Sequence, residues 1–213
     1  MATQPAVEPL RVQFRRQVRE QALDAAQAML VQSGWESVTV SAVASAIGVS
    51  RPTFYKEFAN KQALGEALVR RETERFLTGV AAVLDEHGGQ DPQAAISAAV
   101  HFTLEEASRN PLLHAVLTST RGGDESLLPL LTTRSGPLLE AATRALSGWF
   151  SAHLPHLPPD EVAEGVDAVV RLVVSHLVLP AAPPEQTARR LARLATRYLG
   201  VEPRPPLPGT PGV

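Results

Sequence analysis

The segment from residue 38 to residue 64 carries two short helical patterns separated by a tight turn. Gly48 supplies the left-handed backbone conformation with which many helices end, and Ser50 is a favourable N-cap for the next helix. Pro52 lies in the first turn of that helix, where its missing N–H removes no intrahelical hydrogen bond. The segment therefore predicts a helix-turn-helix. Its first helix has apolar residues at helical spacing, namely Val40, Val43, Ala44 and Ile47.

The second helix of this motif, predicted over about residues 51–58, has an apolar face and a polar face. Phe54 and Phe58 lie four residues apart and are expected to point inward. In a helix-turn-helix the opposite face enters the major groove, where an arginine such as Arg51 binds guanine through two hydrogen bonds. The other polar residues are expected to reach base methyls or phosphates. The predicted DNA contacts of this region are Thr39, Ser50, Arg51, Pro52, Thr53, Tyr55, Lys56 and Lys61.

A group of arginines precedes the motif. Arg11, Arg15 and Arg19 are four residues apart, so they share one face of the predicted first helix, with Arg16 beside them. A face of this kind is often only solvated. Next to a helix-turn-helix, we favour an N-terminal arm in which Arg15 and Arg16 contact DNA phosphates.

This part of the chain resembles the N-terminal domain of the TetR family of transcriptional repressors. The resemblance covers about 55 residues and extends back to Gly34-Trp35, where the first helix of the family ends. In three places the chain departs from the family pattern, because Pro52, Glu57 and Gln62 replace a glycine, a histidine and a glutamate. We expect Pro52 to alter base preference and Glu57 to bring a negative charge near DNA. The matching residues are Thr39, Val40, Val43, Ala44, Gly48, Val49, Ser50, Thr53, Phe54, Tyr55, Phe58, Lys61 and Leu64.

The resemblance implies an all-α protein with about nine helices, in which a three-helix DNA-binding head precedes a larger helical ligand-binding and dimerisation domain. Pro and Gly breaks along the chain agree with this division. We expect a disordered N-terminus over residues 1–10, the helix-turn-helix domain over 11–60 and the regulatory domain over 61–200. A Pro-rich disordered tail is expected over residues 201–213.

The amino-acid composition restricts the cellular compartment and the partners that we expect for the chain. The 213 residues include no cysteine, which excludes disulfides and thiolate chemistry. No apolar run approaches the roughly 20 residues of a membrane span, and no signal-peptide pattern is present. The net charge is −2, yet residues 1–64 hold seven basic and five acidic residues. We therefore expect a cytoplasmic protein without a membrane partner, whose N-terminal part meets double-stranded DNA.

Two long helices predicted near the C-terminus are more apolar around their circumference than a monomer needs. The resemblance implies that they pair with a second copy as a four-helix interface. A helix-turn-helix reads only a few base pairs, so useful specificity also favours a two-fold homodimer on a palindromic operator. The alternative is that these helices are simply core. The predicted interface residues are Val170, Val173, Val174, Leu177, Leu191, Leu194 and Tyr198, of which Leu191, Leu194 and Tyr198 are expected on the inward face of the last helix.

The resemblance also implies that the second domain binds an effector that releases DNA. Residues 91–180 are apolar, which favours a small lipophilic effector such as a fatty acid. Arg171 and His176 are polar residues in an otherwise apolar helix and are candidates to anchor an acyl head group. Ordinary core or surface packing is the alternative for every candidate. The candidates are Phe102, His114, Leu117, Trp149, Phe150, Arg171 and His176.

The chain lacks the patterns by which common enzymes are recognised. It has no phosphate-binding Gly-Lys loop, no dinucleotide glycine fingerprint and no Gly-x-Ser-x-Gly elbow. His153 and His156 are three residues apart, but prolines interrupt the segment and no carboxylate or thiol completes a metal site. We therefore expect no catalytic residue, no metal and no cofactor. The remaining alternative is a dimeric sensing or interaction module that has weak or lost DNA binding, for which Glu57 is the one argument.

Overall fold

The computed structural model describes residues 9–87, 91–118 and 135–201, and in these ranges the chain is all-α. The prediction of an all-helical fold is confirmed. The described helices are α1 Leu10–Ser33, α2 Val40–Ala46, α3 Arg51–Tyr55, α4 Lys61–His87, α5 Pro92–Arg109, α6 Pro111–Thr118, α7 Ser135–His153, α8 Pro159–Val178 and α9 Pro184–Tyr198, with a 3-10 turn at Trp35–Ser37.

Polar side chains determine where many of these helices begin. At each such position a side-chain oxygen accepts a hydrogen bond from a backbone N–H of the first turn, which otherwise has no intrahelical partner. The capping residues are Thr39 for α2, Ser50 for α3, Asn60 for α4, Asp91 for α5 and Asn110 for α6. Gly34 and Gly48 end α1 and the turn after α2 with φ angles of 77° and 69°, which side chains other than glycine rarely adopt.

The N-terminal head consists of α1, α2, α3 and the start of α4 around one apolar centre. Helix α1 contributes a stripe of buried residues at helical spacing, and α3 contributes Phe54, which is fully buried against Phe58 with ring centroids 5.4 Å apart. Trp35 of the 3-10 turn closes the same core. This packing fixes the angle at which α3 presents its outer face.

Helix α4 runs out of the head into the helical body. It packs on α5, and α5 in turn packs on α9, while α7 and α8 pack on each other. The apolar centre of the body continues that of the head without a break, because residues such as Leu68, Phe76 and Leu84 of α4 belong to the same cluster as Trp35. Helix α4 is therefore the direct mechanical connection between the two parts.

Some boundaries differ from expectation. The second helix of the motif was expected to run to Phe58, but α3 ends at Tyr55, and a turn carries Lys56 and Glu57. The proposed disordered ends, residues 1–10 and 201–213, lie almost wholly outside the described residues. Within the described ranges, none of the helices has the length and apolar character needed to cross a membrane.

Candidate nucleic-acid interface and apolar cavity

The packing of the inner face of α3 fixes the orientation of its outer face. Phe54 is fully buried, so the helix cannot rotate without losing that packing. The Ser50 side chain caps the helix by accepting from the Thr53 backbone N–H, and the two hydroxyl oxygens lie 2.9 Å apart. Pro52 in the first turn removes no hydrogen bond. Arg51, Pro52, Tyr55 and Lys56 are left exposed on one continuous surface.

The remaining hydroxyl candidates differ in exposure. Thr39 and Ser50 are exposed, whereas Thr53 is half-buried. The Thr39 oxygen accepts from the Ala42 N–H at 3.1 Å, which leaves its hydroxyl hydrogen able to donate to a phosphate oxygen. The Thr39 hydroxyl can thus both cap α2 and donate outward.

Lys61 lies at the start of α4 and is held against the core of the head. Its Nζ atom is 4.9 Å from the centroid of the Trp35 ring and donates to the Glu36 carbonyl oxygen at 3.5 Å. A cation above an indole face is attracted by the quadrupole of the ring. Lys61 is therefore positioned beside the helix-turn-helix while part of its side chain stays accessible to solvent.

Glu57 does not present an uncompensated negative charge, which corrects our expectation. Its side chain is only 8% exposed, and its Oε1 atom accepts from Arg15 Nε at 2.7 Å. This hydrogen bond raises the pKa of Arg15 above its ordinary value. Arg19 adds a bond of 3.4 Å to the Glu57 carbonyl oxygen, and its guanidinium lies 4.7 Å from the Phe58 ring centroid. Through these bonds to Glu57, Arg15 and Arg19 hold α1 against the turn after α3.

The two predicted arm residues therefore differ. Arg15 is exposed but its Nε–H is engaged with Glu57, so only its terminal amino groups remain for a phosphate. Arg16 is exposed one position further along α1.

The helical body encloses an apolar cavity of about 120 Å³ between α4, α5, α7, α8 and α9, with Leu117 of α6 at one side. Thr103 is the single polar side chain besides the Trp149 indole in the described lining, and its hydroxyl donates to the Ala99 carbonyl oxygen at 2.8 Å. No charged side chain belongs to that lining. The lining residues are Phe76, Leu77, Val80, Ala81, Leu84, Ile96, Ala99, Val100, Thr103, Leu117, Ala145, Leu146, Trp149, Phe150, Gly165, Val166, Val169, Val170, Val173, Val174, Leu177, Ala195 and Leu199.

Three of the seven predicted ligand contacts, namely Leu117, Trp149 and Phe150, lie in this wall. The two aromatic rings meet edge to face with centroids 5.3 Å apart, so they form one rigid corner of the cavity. The other wall residues have the same helical spacing as ordinary core residues, and no signal in the sequence separates a cavity wall from a filled core.

The structure does not bring the other four candidates into the lining. Phe102 instead stacks on Phe76 with centroids 6.2 Å apart, and His114 Nε2 lies 3.4 Å from the Leu177 carbonyl oxygen. Arg171 is on the outside.

Arg171 and His176 were the candidates for a polar anchor. Arg171 donates to Asp167 Oδ2 at 2.6 Å, and this hydrogen bond raises the pKa of Arg171. His176 Nδ1 is buried and has no hydrogen-bond partner within the described part of the chain. Neither residue faces this cavity, so neither is carried into our proposal for effector binding.

The predicted interface residues divide into two sets. Val170, Val173, Val174 and Leu177 line the cavity, and Leu191 is buried within the protomer. Leu194 and Tyr198, which were expected to point inward along the last helix, are instead 49% and 51% exposed. Helix α9 buries Leu191 as predicted, but the rest of its buried face consists of the smaller residues Thr187, Ala188, Ala192, Ala195 and Thr196.

The outer faces of α8 and α9 carry further apolar surface. Val178, the last residue of α8, and Leu179, which follows it, are 46% and 77% exposed. Tyr198 donates its hydroxyl to Glu164 at 2.8 Å, and this hydrogen bond raises the pKa of Tyr198.

Within the described residues, no group of three or more His, Asp or Glu side chains is arranged to hold a metal ion. The imidazole Nδ1 of His153 lies 2.9 Å from the Trp149 carbonyl oxygen, and the ring stacks on the Trp149 indole with centroids 4.4 Å apart. His156 is exposed.

Comparison with known proteins gives two family matches along this chain. Residues 22–68 match the family described as bacterial regulatory proteins of the tetR family. Residues 91–197 match the C-terminal domain of the bacterial tetracyclin repressor. The first match contains the helix-turn-helix, and the second contains most of the cavity wall.

Individual relatives agree with these matches. The HTH-type transcriptional regulator AlkX of Mycobacterium tuberculosis is 32% identical over 86% of this chain and 86% of its own length. The crystal structure of the TetR-family repressor AlkX of Dietzia sp., implicated in biodegradation of n-alkanes, is 31% identical with a TM-score of 0.63, over 84% of this chain and 96% of that one. The regulator FadR of Bacillus subtilis, solved with stearoyl-CoA, shares the fold at 14% identity and a TM-score of 0.56, over 86% and 98% of the two chains.

Proposed function

The chain belongs to the TetR family of bacterial transcriptional regulators, which are DNA-binding proteins and not enzymes, and on that premise we propose that it is a repressor released from a palindromic operator by a small lipophilic effector. The observation that carries the proposal is the pairing of an exposed recognition helix with an apolar cavity, whose described lining bears no charged side chain, in one continuous helical core.

On the DNA side, we assign base reading to the first residues of α3. Arg51 has two terminal amino groups that match the O6 and N7 atoms of guanine in the major groove. Tyr55 and Lys56 follow on the same exposed surface and have the reach for phosphates. We assign Thr39, Arg16 and Lys61 to the DNA backbone, where contacts position the protein without reading sequence.

We propose a two-fold dimer that uses the exposed apolar side chains of α8 and α9. Val178, Leu179, Leu194 and Tyr198 supply that surface, whereas the other residues first assigned to it serve the interior of the protomer. A dimer presents two recognition helices to two half-sites, which explains why one short α3 suffices in each protomer. An operator-binding role places the protein in the cytoplasm.

For the effector, the wall of the cavity supports a hydrocarbon ligand. Each buried methylene group contributes about 0.8 kcal/mol when it leaves water. An ionised carboxylate would gain no charged partner from the described wall, and burying an unpaired charge is costly. A fatty-acid-like effector therefore has to place its head group at the mouth of the cavity, while its chain fills the apolar part.

The test is fluorescence anisotropy with the full-length protein and a duplex from upstream of its own gene, against a shuffled duplex, at two salt concentrations. We expect tight binding to the native duplex alone, and a lower affinity after addition of decanol or decanoate. Equal and weak binding to both duplexes would refute operator recognition and favour a sensing module without DNA function. If neither decanol, decanoate nor their longer homologues dissociates the protein from DNA, the proposal of a lipophilic effector is refuted.

A further inference from the structure

A buried polar cluster joins the DNA-binding head to the helical body. At its centre are Arg71 and Glu72 of α4, which are only 8% and 7% exposed. Buried charges are rare in proteins unless they are paired and hydrogen-bonded. The bonding partners of these two residues outside α4 belong partly to the head and partly to the body.

On the head side, the partners belong to α1. Arg71 Nη1 donates to Asp24 Oδ1 at 2.7 Å, and Arg71 Nη2 donates to Gln27 Oε1 at 2.9 Å. The amide nitrogen of Gln27 then donates to Glu72 Oε2 at 3.0 Å. Gln27 thus accepts from one buried charge and donates to the other, which fixes the orientation of its amide.

On the body side, the partner is Asn110, at the corner between α5 and α6. Its Nδ2 atom donates to the same Glu72 Oε2 at 3.0 Å, and its Oδ1 atom caps α6 by accepting from the Leu113 N–H at 3.1 Å. One carboxylate oxygen is therefore shared by a residue of the head and a residue of the body. A shift of either residue changes the hydrogen bonding available to the other.

Helix α6 connects this corner to the cavity. Leu117, less than two turns after Leu113, lies in the cavity wall, and His114 Nε2 approaches the carbonyl oxygen of Leu177, another wall residue. A ligand that moves the wall at these two residues moves α6 and its N-terminal cap. Packed interiors respond to such shifts as units, because they contain few voids that could absorb them.

We propose that the Glu72 carboxylate is the coupling element of the protein, through which occupancy of the cavity changes the position of α1 and hence of the DNA-binding head. The coupling rests on the proposed effector site, since without a ligand in the cavity there is nothing to transmit. Reciprocity follows from linkage, so DNA bound to the head disfavours the ligand by the same factor.

The discriminating variant is Asn110→Ser. Serine keeps the N-cap of α6, because its hydroxyl oxygen accepts from the Leu113 N–H, but it lacks the amide donor that reaches Glu72. Arg75→Ala is the matched control. Arg75 donates to the other oxygen of Glu72 at 3.2 Å, but it belongs to the same helix and is exposed, so its removal breaks no link between head and body.

The readout is hydrogen exchange of the full-length protein with and without N-phenyl-1-naphthylamine, a neutral fluorescent apolar probe, which needs no DNA. In the unsubstituted protein we expect the probe to slow exchange in α8 and to change exchange in α1 by about fivefold or more, a typical allosteric coupling. Arg75→Ala should behave in the same way. Asn110→Ser should keep the α8 response and lose the α1 response, to within about twofold.

Gln27→Leu removes the link to Glu72 from the head side and should likewise lose the α1 exchange response. This second variant shows whether the result depends on a folding defect peculiar to Asn110→Ser. An α1 response that persists in both variants overturns the proposal. So does probe binding that protects α8 but leaves α1 unchanged in the unsubstituted protein, an outcome that leaves the effector site intact. Failure of the probe to bind at all overturns both the effector site and the coupling, while operator recognition is tested separately by anisotropy.

Discussion

Replacement of Lys61 separates its contribution to DNA binding from its contribution to the stability of the head. The Nζ atom lies 4.9 Å from the Trp35 ring centroid and 3.5 Å from the Glu36 carbonyl oxygen. If each protomer of a dimer neutralises one phosphate with this residue, Lys61→Ala reduces the slope of log K against log salt by about 0.9 per protomer, or about 1.8 in total. Between 50 and 200 mM salt, the affinity of the Lys61→Ala variant should therefore fall about 12-fold less than that of the unsubstituted protein.

Stability provides the second magnitude. A partly exposed cation–π contact contributes about 0.5–1 kcal/mol. For a chain of this length, such a loss lowers the Tm by about 1–4 °C. Lys61→Met keeps an apolar stem against Trp35 but removes the charge, so it should show the reduced salt slope with a smaller loss of Tm.

The assay is anisotropy titration of the native and the shuffled duplex at four salt concentrations, with Tm measured in parallel. Both duplexes should lose affinity alike, because a phosphate contact carries no sequence information. Arg144→Ala is the control, since Arg144 is exposed on α7 and pairs with Glu140 at 3.6 Å. An unchanged salt slope in both Lys61 variants would refute the phosphate contact. A loss confined to the native duplex would show base reading instead.

Three further substitutions test other parts of the structure. Arg51→Ala should cost about 1–3 kcal/mol on the native duplex and relax base choice at one half-site position in a randomised-site selection, whereas an equal loss on shuffled DNA would contradict base reading. Glu57→Ala removes the partner of Arg15 and should make the salt slope steeper and shuffled-DNA binding tighter, as anisotropy would show; weaker binding would mean that the pair positions α1 for DNA. Gly148→Ala, where a Cβ meets nothing within 4 Å, should raise the free energy of unfolding in urea by about 0.5–1 kcal/mol. Gly79→Ala, whose Cβ would collide with the Phe102 ring, should not show this gain, and a gain there would show that the ring moves freely.

The head was predictable because its determinants are local in sequence. Ser50 caps the helix that starts at the next residue, and Gly48 turns the chain between two helices that are only a few residues away. Periodic apolar residues then place Phe54 inside and Arg51 outside without reference to the rest of the chain. Each of these features depends on residues within a few positions of one another, so a single sequence is enough to reveal it.

The remaining features depend on residues that are distant in sequence. Arg15 and Glu57 are 42 positions apart, and Asn110 and Glu72 are 38 apart, so neither pairing follows from local spacing. The inward orientation predicted for Leu194 and Tyr198 fails for a related reason. Helix α9 packs on α5 and buries its small residues together with Leu191, whereas a rule that turns every large apolar residue inward also buries Leu194 and Tyr198.

The magnitudes required of the proposed effector agree with a cavity whose described lining is apolar and bears no charged side chain. A tenfold loss of operator affinity needs about 1.4 kcal/mol of differential binding between the two conformations. At about 25 cal/mol per Å² of apolar surface, that corresponds to roughly 56 Å² more buried surface in the released conformation, or about two methylene groups. A displacement of α6 that opens the cavity by this amount is small, and it acts on the corner held by Asn110. Because the described wall offers hydrocarbon length rather than charge as the basis of selection, we expect the proposed effector to favour release by filling space. The Glu72 oxygen shared by Gln27 and Asn110 is placed to convert that change of shape into a new position of α1.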